Sequence, residues 1–134
     1  MGNINVSWMN EDKTVIRYHF QKGWSWEEID SAFKQAYDML DTVTYKVDVI
    51  MDFADSSLFF PKNTFVHARR ILANKPHANV RRTVLVGNSF INKMGDMVQK
   101  IVPKGMNNWD VLFAQTLEQG QAILEQRKTE EVDS

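Results

Sequence analysis

The sequence predicts an α/β layer sandwich in which a mostly parallel sheet is wrapped by four helices, in the order β-β-α-β-α-β-α-β-α, with one antiparallel strand from an N-terminal hairpin. Three observations carry this. Two period-two stretches open the chain, Ile4, Val6, Trp8 and then Ile16, Tyr18, Phe20, around the polar loop Asn10-Glu11-Asp12-Lys13, as in a hairpin. Short β-branched apolar runs then alternate with 3.6-period amphipathic stretches, and right-handed crossovers make such strands parallel. Two S/T-x-x-E/Q patterns, Ser25 to Glu28 and Thr116 to Gln119, mark helix starts.

Taken in order, Trp24 and Ile29 flank the first capping box as the two staple positions. Ile29, Phe33, Ala36, Tyr37 and Leu40 share one helical face, with Asp30, Lys34, Asp38 and Asp41 outside it. Val47 to Phe53 reads as a central strand covered on both sides. A second helix starts from Asn63, turns Phe65, Ala68 and Leu72 inward and stops before Pro76. Val80 to Gly87 is the next strand. Asn88 or Ser89 caps a third helix that ends before Pro103, Asp110 to Ala114 is a last short strand, and the second capping box opens a final helix. The polar tail 128–134 is expected to be disordered. No linker or internal repeat divides residues 1–134, so a single domain is expected.

With 134 residues, 43% hydrophobic and 25% charged, the chain can bury a core and is not of disordered composition. The absence of cysteine excludes a disulfide framework, thiolate metal sites and thiol nucleophiles. Apolar runs are too short for a bilayer span, and the N-terminus lacks the shape of a signal peptide; a cytoplasmic protein with no membrane span is the expectation.

Charge is unevenly placed. Residues 1–55 carry net −5 and residues 96–134 net −3, whereas Ser56 to Gly95 has no acid and seven bases: Lys62, Arg69, Arg70, Lys75, Arg81, Arg82 and Lys93. Such a band suits an anion or acidic partner if it gathers on one surface; scattered over several faces and neutralised by acids elsewhere, it has no function of its own, and this second reading is preferred. A pI of 6.3 disfavours nucleic acid.

Phosphate-loop, dinucleotide, nucleophile-elbow, zinc-protease and EF-hand motifs are all missing. His19, His67 and His77 lack the spacing of a metal pair and read as ordinary half-buried or surface residues. Asp52 and Asp55 at the end of the third strand could hold Mg²⁺ or serve as a phospho-acceptor; the simpler reading makes Asp52 an acceptor for neighbouring loop amides. Trp8, Trp24 and Trp26 could line a ligand site, but Trp24 as a staple and Trp8 as a sheet cover account for two of them. Leu58-Phe59-Phe60 either plugs the end of the core or forms an exposed contact patch.

The order of elements, the Asp52-Phe53 exit from a central strand, the loop running into a helix at Asn63, the strand RRTVLVGNS and the closing VLFAQTLEQGQAILEQ together resemble the STAS domain, and within it the SpoIIAA-like (STAS-like) bacterial proteins, from about Val6 to Arg127. The resemblance implies a SpoIIAA-like layer sandwich and a small regulatory domain: either an anti-sigma-factor antagonist that binds a kinase partner, or a related module that binds nucleotides or apolar ligands. Antagonists of that kind carry a phosphorylated Asp-Ser pair where the loop enters the second helix. The matching stretch here, Phe59-Phe60-Pro61-Lys62, has no hydroxyl, and Asp55-Ser56-Ser57 stands several residues too early. The phosphorylation site is therefore not carried over, and intact-mass measurement would expose a phosphate on Ser57 if one existed.

Ligands of open α/β sheets meet the loops at the carboxyl ends of parallel strands, which selects Ser56, Ser57, Leu58, Phe59, Phe60, Lys62 and Asn63, then Asn88 and Ser89, then Gln115 and Thr116. Helix N-termini there favour an anionic group and the Leu-Phe-Phe segment something apolar. The expectation is a non-enzymatic module with a protein partner, or alternatively a binder or sensor of a small apolar or lipid-like anion; no cofactor or metal is called for, no nucleophile-base-orienter trio can be assembled, and a homodimer is compatible with the sequence.

Overall fold

A computed structural model describes residues 3–56, 66, 67, 70, 77–87 and 111–133, with side chains in the last segment placed as far as Arg127. Strands β1 (Ile4–Trp8) and β2 (Val15–Phe20) form the expected hairpin, with Ile4 opposite Phe20 and Trp8 opposite Ile16. Asn10 holds the loop: its Oδ1 accepts from the amides of Thr14 (3.0 Å) and Val15 (3.3 Å), and its Nδ2 donates to Thr14 Oγ1 (2.6 Å), the Asx-type closure that makes Asn a turn residue. Lys13 takes the left-handed position (φ 56°), and the Tyr45 hydroxyl donates to its carbonyl at 3.0 Å.

Helix α1 (Trp26–Leu40) starts at the predicted cap. Ser25 is extended (φ −129°), Glu28 Oε1 accepts from the Ser25 amide at 3.1 Å, and its other carboxylate oxygen accepts from the Asn3 amide, which ties the first strand to the helix. Trp24 and Ile29 are both core residues. The buried stripe is Ile29, Ala32, Ala36 and Leu40; Phe33 and Tyr37, expected on the same face, are only partly buried and pack along its edge. The helix ends at Asp41, and Asn79 Nδ2 donates to the carbonyls of Leu40 (3.0 Å) and Val43 (3.2 Å), satisfying acceptors that a helix C-terminus leaves open.

Strands β3 (Val47–Asp52), β4 (Val80–Val86) and β5 (Val111–Ala114) follow, with a 3₁₀ turn at Ala54–Ser56 after β3. The described strands form one sheet in the order β1-β2-β3-β4-β5. Only β1 runs antiparallel to its neighbour; β2 to β5 are parallel. Because the order never reverses, right-handed crossovers all fall on one face. Helix α1 is on that face. Val66, His67 and Arg70 of the predicted second helix are helical, and His67 stacks on Trp26 (5.1 Å) while Arg70 reaches Asp30 (3.4 Å), which sets this turn beside α1. The predicted third helix lies outside the described residues.

Helix α2 (Leu117–Asp133) packs on the opposite face, where Leu124 joins Ile50, Val84, Val86 and Ala114. Gly120 makes the close approach: a Cβ there would stand 3.2 Å from Val86 and 3.3 Å from Val84. The backbone of this helix continues through Lys128 to Asp133, the stretch expected to be disordered. Strand β3, with helices on both sides, is buried along both faces except at Met51. The α1 face is aromatic: Phe20 stacks on Phe53 (4.2 Å) and meets Trp24 edge-on (5.0 Å), while Tyr18 meets Phe33 (5.8 Å).

Candidate functional site

The parallel strands end at one rim. His19 is level with Asp52, Asp52 with Val86 and Val86 with Ala114, and the chain leaves in step there, Phe53 N donating to Val86 O (2.8 Å) and Gly87 N to Ala114 O (3.1 Å). Of the expected site residues, Ser56, Gln115 and Thr116 come to this rim: Ser56 closes the turn after β3, and the other two join β5 to α2. Ser57, Leu58, Phe59, Phe60, Lys62, Asn63, Asn88 and Ser89 lie outside the described residues. Thr116 caps α2, its Oγ1 accepting from the Gln119 amide at 3.1 Å. The returning arm is displaced by one residue, because Gln119 Oε1 accepts from Gln115 N (2.8 Å).

Behind the rim, on the sheet face opposite α1, lies a set of charged residues whose pairing the sequence did not announce. Asp48 and Asp52 share this face. Asp52 Oδ2 accepts from Arg17 Nη2 (2.6 Å) and Nε (3.2 Å), and its Oδ1 accepts from the Ala54 amide (3.0 Å). The last contact is the loop-amide role expected of Asp52; the arginine was not foreseen. Asp48, with no exposed surface, accepts from Arg81 Nε (3.1 Å) and Nη2 (2.8 Å) in a fork, the geometry that makes Arg suited to carboxylates. The register slips between the Val47/Val80 and Val49/Thr83 pairs, so Arg81 and Arg82 together stand opposite Asp48. His19 Nε2 lies 2.6 Å from Asp55 Oδ2 and pins the 3₁₀ turn to β2. A signal for these pairs did exist: acids at period-two positions of an apolar strand need cations on the adjacent strands.

Both strand carboxylates are thus occupied by guanidinium groups, and among the described residues no group of three His, Asp or Glu is arranged to hold a metal ion. At the amino end of β4, His77 Nδ1 accepts from Asn79 N (3.0 Å) while Nε2 donates to Asp41 Oδ1 (2.7 Å), which assigns its tautomer and joins α1 to the sheet. Burial raises the Tyr18 phenol above its ordinary range, and nearby Tyr37 adds to this. Burial raises Tyr37 too, opposed by its contact with the His77 backbone. In the basic band, Arg70 pairs with Asp30, Arg81 with Asp48, and Arg82 is buried; Lys62, Arg69, Lys75 and Lys93 lie outside the described residues.

Compared with protein-family models, with curated proteins and with solved structures, the chain matches none. The fold itself defines an α/β protein with a five-stranded mixed sheet. Among the described residues no helix is long and apolar enough to cross a membrane.

Proposed function

We propose that the chain is a non-enzymatic regulatory or protein-interaction module of the STAS-like kind, acting in the cytoplasm and meeting its partner with the loops at the carboxyl rim of the sheet. The observation that carries this reading is the strand order. Open α/β sheets that bind small molecules in a crevice do so where the order reverses and two loops part; a sheet that advances one strand at a time presents a continuous rim suited to a broad contact. The antiparallel first strand and the pairing of Asp48 and Asp52 with guanidinium groups fit a structural role for the charged residues rather than a catalytic one.

The test is enrichment of the tagged chain from its native cells beside a Phe59→Ser, Phe60→Ser variant, with native mass spectrometry of both. A specific protein partner lost in the variant, at unchanged melting temperature, is the expected outcome. A partner retained by the variant removes the loop from the reading, and a co-purified small molecule favours a ligand sensor using the same rim.

A further inference from the structure

The outer side of β5 differs from the rim. There, β5 and α2 enclose a groove of about 480 Å³ lined by Leu112, Phe113, Ile123, Gln126 and Arg127, within the ~300–1,000 Å³ range of small-molecule sites. Its shape follows from local geometry. Gly120 lets α2 settle against the end of β5 and β4, and the helix then runs back along the strand. Ile123, Gln126 and Arg127, at i, i+3 and i+4, share one helix face. Seven residues at about 1.5 Å each bring Arg127 about 10 Å back from Gly120, level with the start of the four-residue strand.

The lining is chemically divided. Leu112 and Ile123 are apolar and half-buried; Phe113 borders the groove along the strand edge, its ring on the sheet face of its register partner Leu85, away from α2. Among the described lining residues, Arg127 is the charged one. Arg17, Arg70 and Arg81 each meet an aspartate, whereas Arg127 has no hydrogen-bond or ion-pair partner among the described residues. A guanidinium with no partner among the described residues, set beside Leu112 and Ile123, complements a carboxylate with an apolar body, because its fork matches the two oxygens while the chain covers those two side chains.

We propose that this groove binds a small amphiphilic monocarboxylate, with Arg127 and the Gln126 amide on the carboxylate and Leu112 and Ile123 on the apolar chain. The site is separate from the carboxyl rim and does not depend on the function proposed for it.

The probe is decanoate below its micellar range, titrated into the whole chain and followed by calorimetry and by amide chemical shifts. Saturable binding with shifts centred on residues 112–113 and 123–127, at least tenfold tighter than 1-decanol, is expected. Arg127→Gln should weaken decanoate about tenfold and leave 1-decanol unchanged. Arg127→Glu should abolish decanoate binding and accept decyltrimethylammonium instead. The exposed position of Arg127 leaves folding intact, checked by an unchanged melting temperature. No saturation in the unmodified chain, equal affinity in the Gln variant, or shifts confined to the carboxyl rim would each overturn the assignment. Tighter binding of a peptide ending in a free leucine carboxylate would overturn the choice of occupant.

Discussion

The two faces of one sheet are built from different chemistry. Toward α1, strands β2 and β3 present Ile16, Tyr18, Phe20, Val47 and Val49, which close with Trp24 and Phe53 into an aromatic and aliphatic cluster. On the far side the same two strands present Arg17, His19, Asp48 and Asp52, joined pairwise within the sheet and to Arg81 and Asp55. Burial of apolar surface is non-directional and supplies most of the stability. Forked ion pairs add little net energy but are directional, and here each one bridges neighbouring strands, so a one-residue slip would strand a buried carboxylate. Cohesion thus comes chiefly from the larger cluster on the first face, with a smaller apolar cluster under α2 on the second, where the ion pairs set register.

The largest effect that tests this is Phe20→Ala. Phe20 has no exposed surface and stacks on Phe53, so loss of about 3–5 kcal/mol is expected in urea unfolding. A loss under 1 kcal/mol would break the assignment of cohesion to that face. Next comes Asp48→Asn, which leaves Arg81 facing an uncharged, misfitting partner; about 3 kcal/mol should be lost, the low end for a broken buried pair because Arg81 keeps some access to water. Asp48→Leu combined with Arg81→Met should recover most of that loss while permitting register errors, visible as a second set of β3 amide resonances. A single clean set would show that the pair does not specify register.

Alkaline titration separates the faces further. Burial keeps the Tyr18 phenol protonated in the fold, so its contribution is complete below the unfolded tyrosine pKa of about 10 and declines as pH rises above it, by about 1.4 kcal/mol per pH unit. Tyr18→Phe should flatten this limb in denaturant midpoints measured between pH 9 and 11.5; an unchanged slope would show that the hydroxyl reaches water. The smallest effect is expected at Gly120→Ala. The added methyl crowds Val84 and Val86, and helix propensity offsets part of the strain, leaving a loss of about 1 kcal/mol. A gain in stability would mean that α2 can lift from the sheet without consequence.

Much of the fold was legible because its signals are local. The hairpin declared itself by alternation within residues 4–20, α1 by Ser25 and Glu28, β3 by an apolar run too short for a helix, and α2 by Thr116 and Gln119. What was not legible depended on partners distant in sequence. Arg17 and Asp52 are 35 positions apart and Arg81 and Asp48 are 33, and Asp48 meets an Arg-Arg doublet only because the register slips beside it. The buried stripe on α1 takes in Ala32 beside the expected Ile29, Ala36 and Leu40 and leaves Phe33 and Tyr37 at its edge, because small residues let the helix approach the sheet while rings swing to its flank. Of the rim, Ser56, Gln115 and Thr116 were placed by the parallel-sheet rule alone. Arg127 escaped notice because a lone cation on a helix looks like ordinary surface until β5 is set beside it.

The unreversed strand order has a consequence for biosynthesis. A nascent chain is released N-terminus first, at about 5–20 residues per second, and here each described strand docks on the described strand made just before it. Residues 3–53 already contain the hairpin, α1, β3 and nearly every ring of the aromatic cluster. That segment can shield its greasiest surface before the remainder has emerged from the ribosome, and later strands are appended at a growing edge rather than threaded between existing ones.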